Sequence, residues 1–100
     1  MKRVFVIGGK RFVGAAVVKL LSTKYDVTVL NRSGIKPTDN CTVIQMDRVN
    51  ISSFLLRNQD IIIDMCAYNL TQVKELLKSH VPKILIKQAE NLLQNKNQKE

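Results

Sequence analysis

The residues with the clearest chemical purpose are glycines spaced to bare the backbone, with cations set around them. Gly8-Gly9-Lys10-Arg11-Phe12-Val13-Gly14 follows the apolar run Val4-Phe5-Val6-Ile7 and precedes a stretch of helical periodicity. In that strand–turn–helix setting a glycine-rich turn points to dinucleotide binding. Glycine takes the backbone angles of a tight turn cheaply. A turn without side chains lets a pyrophosphate approach the main chain. The helix that follows offers free N–H groups and the positive end of its dipole to the phosphates. Gly14 would let that helix pack closely on the strand.

A second chemical position lies at the end of the next strand, where an acid commonly grips the cofactor's ribose. Here the chain reads Leu30-Asn31-Arg32. Asp26 cannot take that role, because it opens the strand about 15 Å away. A carboxylate would repel a 2′-phosphate, whereas Arg32 attracts one and can hold it with two donors. NADP is therefore expected in preference to NAD. Lys10, Arg11, Arg32 and Arg48 would all gather at the carboxyl edge of the sheet, where open α/β sheets bind ligands. Such a cluster suits a phosphorylated ligand, and it also suits an RNA backbone. The aromatic residues do not alternate with the basic ones, so base stacking is not signalled.

The elements that must hold these residues alternate regularly. Val4–Ile7 reads as a strand buried on both faces. Val13, Ala16, Val17, Leu20 and Leu21 form a helical stripe expected to face the core. Val27-Thr28-Val29-Leu30 is a second strand, so the opening is a βαβ unit with an expected right-handed crossover. Residues 32–41 are turn-rich and too polar for a crossover helix. Thr42–Met46 reads as a third strand, and a parallel arrangement there would need an unusually short connection. Ile51, Phe54 and Leu55 indicate one or two helical turns, capped by Asn50 or Ser52. Ile61–Met65 is a fourth strand. Leu70, Val73, Leu76 and Leu77 predict another core-facing helix, capped by Asn69 and ended by Val81-Pro82. Ile84 and Ile86 fit a fifth strand, while Leu85, Ala89 and Leu92 fit a helix instead.

Four segments in order resemble the NAD-dependent epimerase/dehydratase family, the extended branch of the short-chain dehydrogenases. They are Gly8–Gly14, Val27–Arg32, Met46-Asp47-Arg48 and Ile63–Tyr68. The likeness is strongest to an atypical subgroup that includes chloroplast stem-loop RNA-binding proteins, and it spans roughly residues 1–80. It implies a Rossmann-like, doubly wound parallel sheet truncated to four or five strands. The first strand would be central, the second and third on one side, the fourth on the other. Gly8 and Gly14 resemble the outer glycines of the family's G-x-x-G-x-x-G turn, with Arg11 where the middle glycine would stand. Asp47 resembles the acid that contacts adenine. Cys66 and Ala67 resemble the residues lining the ribose and nicotinamide side. The family's catalytic Tyr-x-x-x-Lys is absent, since Val29 lies four residues after Tyr25 and Gln72 four after Tyr68.

Residues 1–88 are thus expected to form a partial dinucleotide-binding domain, and 89–100 a polar tail. The expected function is NAD(P) binding without catalysis by this chain alone. The alternatives are a basic RNA-binding module and an inactive structural remnant. Composition agrees with a single globular unit: 100 residues, 45% hydrophobic and 24% charged. The net charge of +8 favours anionic partners. No apolar run is long enough to span a bilayer. Cys41 and Cys66 do not make a disulfide framework, and a reducing cytoplasmic setting is the default expectation. Two cysteines and a single histidine on separate elements give no metal site. Asp64 can face either the cofactor or a neighbouring strand. An open sheet edge left by Ile61–Ile63 or by Ile84 and Ile86 is expected to promote self-association.

Overall fold

The computed structural model describes residues 1–8, 12–66 and 70–86. Its elements are β1 (Arg3–Ile7), α1 (Phe12–Leu21), β2 (Asp26–Asn31), β3 (Thr42–Gln45), α2 (Ser53–Leu56), β4 (Ile61–Asp64), α3 (Leu70–Leu77) and β5 (Lys83–Ile86), with a 3₁₀ turn at Arg48–Asn50. The strands form one sheet in the order β3-β2-β1-β4-β5. All four pairings are parallel. This is a Rossmann-like α/β sheet. The segment after Val81-Pro82 is the fifth strand, and it forms one edge of the sheet.

β1 has the most secluded place. Val4, Phe5, Val6 and Ile7 have no exposed surface at all. Strand alternation divides them between two cores. Phe5 and Ile7 join Leu30, Leu56, Ile62, Leu76 and Val81 on the face that carries α2 and α3. Val4 and Val6 join Val18, Val27, Val29 and Cys41 on the face that carries α1. Burial on both faces explains why β1 reads as a continuous apolar run.

The connection from β2 to β3 manages a parallel return without a helix. Asn31 closes it on itself. Its Nδ2 donates to the Ile35 carbonyl at 3.0 Å, and its Oδ1 accepts from Gly34 N at 2.7 Å. Gly34 has φ +73, and a Cβ there would lie 3.0 Å from Gln45 Oε1. Gln45 in turn donates from Nε2 to the Arg32 carbonyl at 3.1 Å.

Both helical stripes differ from expectation. On α1, Ala16 is exposed and Leu20 is 72% exposed, while Gly14 and Val18 are buried and Leu21 is half-buried. The contact line therefore runs through 14, 18 and 21. On α3, Leu76 is buried but Leu77 is 59% exposed. Adjacent leucines lie about 100° apart on a helix, so only one can point at the sheet. The Ser52 side chain caps α2, accepting from Leu55 N at 3.3 Å. The expected cap Asn69 and the polar tail lie outside the described residues. No helix among the described residues is long and apolar enough to cross a membrane.

Candidate functional site

Parallel strands bring their carboxyl ends to one edge, and register shows which residues meet there. Ile7 pairs with Leu30 on one side and Asp64 on the other. Asn31 pairs with Gln45. The residues just beyond, Gly8, Arg32, Asp47, Arg48 and Cys66, therefore share that edge. Gly9, Lys10, Arg11 and Ala67 lie outside the described residues. Phe12 and Val13 open α1 directly after the turn, and Gly14 is buried in its first turns.

Gly8 leaves β1 in a left-handed conformation, φ +88. Its N–H still donates to the Leu30 carbonyl at 2.8 Å. The main chain thus turns away from the sheet while tied to β2. A Cβ at this position would lie 3.0 Å from Cys66 Sγ. The glycine is required twice over, by its backbone angle and by its neighbour.

Arg32 follows β2 with an exposed side chain. Its guanidinium makes no hydrogen bond or ion pair among the described residues, so it is free to meet an anion. Asn31, by contrast, is buried, and both polar atoms of its amide serve the turn described above. Asp47 caps the 3₁₀ turn, its Oδ1 accepting from Val49 N at 3.1 Å. Its other carboxylate oxygen carries no hydrogen bond among the described residues.

Arg48 is not an open cation. Both nitrogens of its fork bond Asp64, Nη1 to Oδ1 and Nη2 to Oδ2, each at 2.7 Å. Asp64 has no exposed surface, and the Arg48 side chain is 10% exposed. Burial opposes the Arg48 charge, yet the hydrogen bonds and charge of Asp64 more than offset it and raise its pKa. Asp64 Oδ1 also accepts from Cys66 N at 3.0 Å. Nη1 of Arg48 reaches Cys66 Sγ at 3.5 Å. Burial pushes the Cys66 thiol up; the hydrogen bond from Arg48 works against that, and the Asp64 charge reinforces it. The sequence left Asp64 undecided. Its signal was available: a carboxylate ending the apolar strand Ile61-Ile62-Ile63 must find a cation when buried. The Gly8–Cys66 contact had no such signal, because it joins two loops that the sequence treats separately.

A cavity of about 320 Å³ opens between the 3₁₀ turn, α2 and α3, lined in part by Arg48, Val49, Ile51, Gln72 and Glu75. Another, of about 520 Å³, reaches the opposite, amino edge at Arg3 and Asp26. Those two residues are already paired at 3.7 Å, and neither comes from the glycine turn. The smaller cavity is the one that adjoins the carboxyl edge. Cys41 and Cys66 are both free thiols. Among the described residues no group of three or more His, Cys, Asp and Glu side chains could hold a metal ion.

No protein-family model matches the chain, and neither does any curated protein. Solved structures do. TunA, an NAD-dependent NDP-hexosamine 5,6-dehydratase of tunicamycin biosynthesis, superposes with a TM-score of 0.70 at 17% identity, over 86% of this chain and 36% of its own. MoeE5, solved with UDP-glucose and NAD, gives 0.61 at 20% identity, over 84% and 35%. The UDP-N-acetylglucosamine 4-epimerase of Methanobrevibacter ruminantium, solved with UDP-N-acetylmuramic acid, gives 0.55 at 25%, over 78% and 29%. The chain spans about a third of the length of these structures. One of these neighbours is named as a dehydratase and one as an epimerase, and the fold the chain shares with all three is the Rossmann-like sheet.

Proposed function

We propose that this chain is a dinucleotide-binding unit of an epimerase/dehydratase-like oxidoreductase, holding NADP or NAD at the carboxyl edge of its sheet. The observation that carries this reading is Gly8, turned to φ +88 at the end of the central strand, where β2 lies on one side and β4 on the other. That is the switch point at which doubly wound sheets bind nucleotides. The bared backbone there and the start of α1 would receive the pyrophosphate. Gly9, Lys10 and Arg11 belong to the same turn in sequence. Asp47, with one carboxylate oxygen that carries no hydrogen bond among the described residues, would meet the adenine. Cys66 and Ala67 would line the ribose and nicotinamide side. Arg32, exposed and without a partner among the described residues, favours NADP. TunA is NAD-dependent and MoeE5 was solved with NAD, which supports a nicotinamide dinucleotide as the ligand class.

The Tyr-x-x-x-Lys pair that the resemblance requires for catalysis is not in these 100 residues. The proposal is therefore binding rather than turnover. The deciding experiment is equilibrium titration of the chain with NADP, NAD and a short RNA hairpin under one buffer condition. NADP is expected to bind most tightly. Saturable binding of the hairpin with no nucleotide binding would replace this reading with the RNA-binding one. No binding of any of the three would leave a structural remnant.

A further inference from the structure

Arg48 belongs by position to the cations that would meet a cofactor's phosphates, but its bonding assigns it other work. Its planar fork is matched to both oxygens of Asp64, a geometry that fixes orientation as well as proximity. The pair joins segments that are far apart in sequence. Arg48 lies in the turn that leaves β3, next to Asp47. Asp64 ends β4 and sits beside Ile7, one residue before Gly8. Asp64 also holds Cys66 N, and Cys66 Sγ packs against Gly8. The Asp47 turn, the exit of β4 and the glycine turn therefore converge on one buried ion pair.

We infer that Arg48 and Asp64 are positioning residues for the dinucleotide site, a clamp that sets the spacing between the glycine turn and the Asp47 turn. Arg48 is then not a phosphate ligand. The inference rests on the nucleotide-binding reading above. A buried ion pair is a poor source of net stability, because desolvation offsets its attraction. What two apolar side chains could not reproduce is the fixed fork geometry between two loops.

The test turns on a difference of sign. If Arg48 were a phosphate ligand, Asp64 would draw it away from the phosphates, and Asp64→Asn would tighten NADP binding. For a clamp, Asp64→Asn weakens NADP binding about tenfold. Arg48→Lys keeps the charge and loses the fork, so a clamp predicts a loss of similar size, whereas a phosphate ligand would keep most of its affinity. Should either single variant fail to fold in urea titrations, the paired variant Arg48→Met with Asp64→Leu removes both buried charges, and weak binding is again expected. A second readout needs no cofactor. In a Cys41→Ala background, the rate at which Cys66 reacts with a thiol reagent should rise about tenfold in Arg48→Lys as the edge loosens, whereas loss of the Arg48 hydrogen bond alone would push the thiol further up and slow the reaction. Tighter binding in Asp64→Asn, or an unchanged or slower Cys66 rate in Arg48→Lys, overturns the clamp. Absence of NADP and NAD binding by the unaltered chain overturns the nucleotide reading instead, while the thiol rate still reports on the clamp.

Discussion

A methyl group on Gly8 would sit 3.0 Å from the sulfur of Cys66 and 3.3 Å from its Cβ. The two residues close one seam between the exits of β1 and β4. Gly8→Ala combines that collision with a left-handed backbone angle. It should destabilise the chain by about 1–3 kcal/mol, measured by urea unfolding. Cys66→Ala in the same chain should return only part of the loss, since it removes the sulfur but leaves both the backbone strain and the Cβ. Full recovery would show that the backbone angle costs nothing.

That seam shows where sequence reading stops. The strands were legible because β1 is buried on both faces and its apolar run has no gaps. The glycine turn was legible because a strand, glycines and a helix follow one another within a few residues. Contacts between turns were not legible, as with Gly8 and Cys66, because nothing local to either residue encodes the other. Helix phase failed for a related reason. Ala16 and Leu20 fit a helical period as well as Gly14 and Val18 do, and only docking on the sheet decides between them. Leu85 and its neighbours read equally as strand or helix until β4 offered them a partner.

The leucines of α3 test the corrected phase. Leu76→Ala should cost about 2–5 kcal/mol, as expected for a buried leucine. Leu77→Ala should stay within about 0.5 kcal/mol. Chemical denaturation of the two variants side by side is sufficient. Equal losses would mean that both leucines are covered.

Cofactor choice rests on Arg32. Replacing it with aspartate should erase or reverse the expected preference for NADP over NAD. Loss of a charge-assisted contact of this kind costs about 1.5–3 kcal/mol. Titration calorimetry with both nucleotides measures it, and equal affinities in the unaltered chain would remove Arg32 from the argument.

The raised Cys66 pKa has a signed consequence. Burial favours the protonated thiol in the folded chain, so the unfolded chain gives up this proton at lower pH. Its contribution to stability is complete below the ordinary thiol value of 9.0 and is lost as pH rises through the higher folded value. Urea midpoints from pH 7 upward should therefore fall less steeply for Cys66→Ala than for the unaltered chain. At neutral pH, alkylation of folded Cys66 should be slower than that of the unfolded chain.

Among the described residues no strand pairs with the outer side of β5, and Leu85 on it is half exposed. Concentration-dependent self-association is the expected result. Sedimentation should show mass rising with concentration, and Leu85→Lys should suppress the rise. An unaltered chain that stays monomeric throughout, with Leu85→Lys indistinguishable from it, would show that this edge recruits nothing.

The central place of β1 also fixes an order of assembly. Val4 finds Val27 early in the chain but must wait for Ile61 on its other side. As the chain leaves a ribosome, β1, α1, β2 and β3 can associate while β4 is still unmade. Until then the apolar flank of β1 lies open along the side that β4 will occupy. The slow step should be the arrival of β4, because closing a longer loop costs more entropy. With β4 comes Asp64, so the carboxyl edge acquires its buried ion pair only when the last gap beside β1 closes.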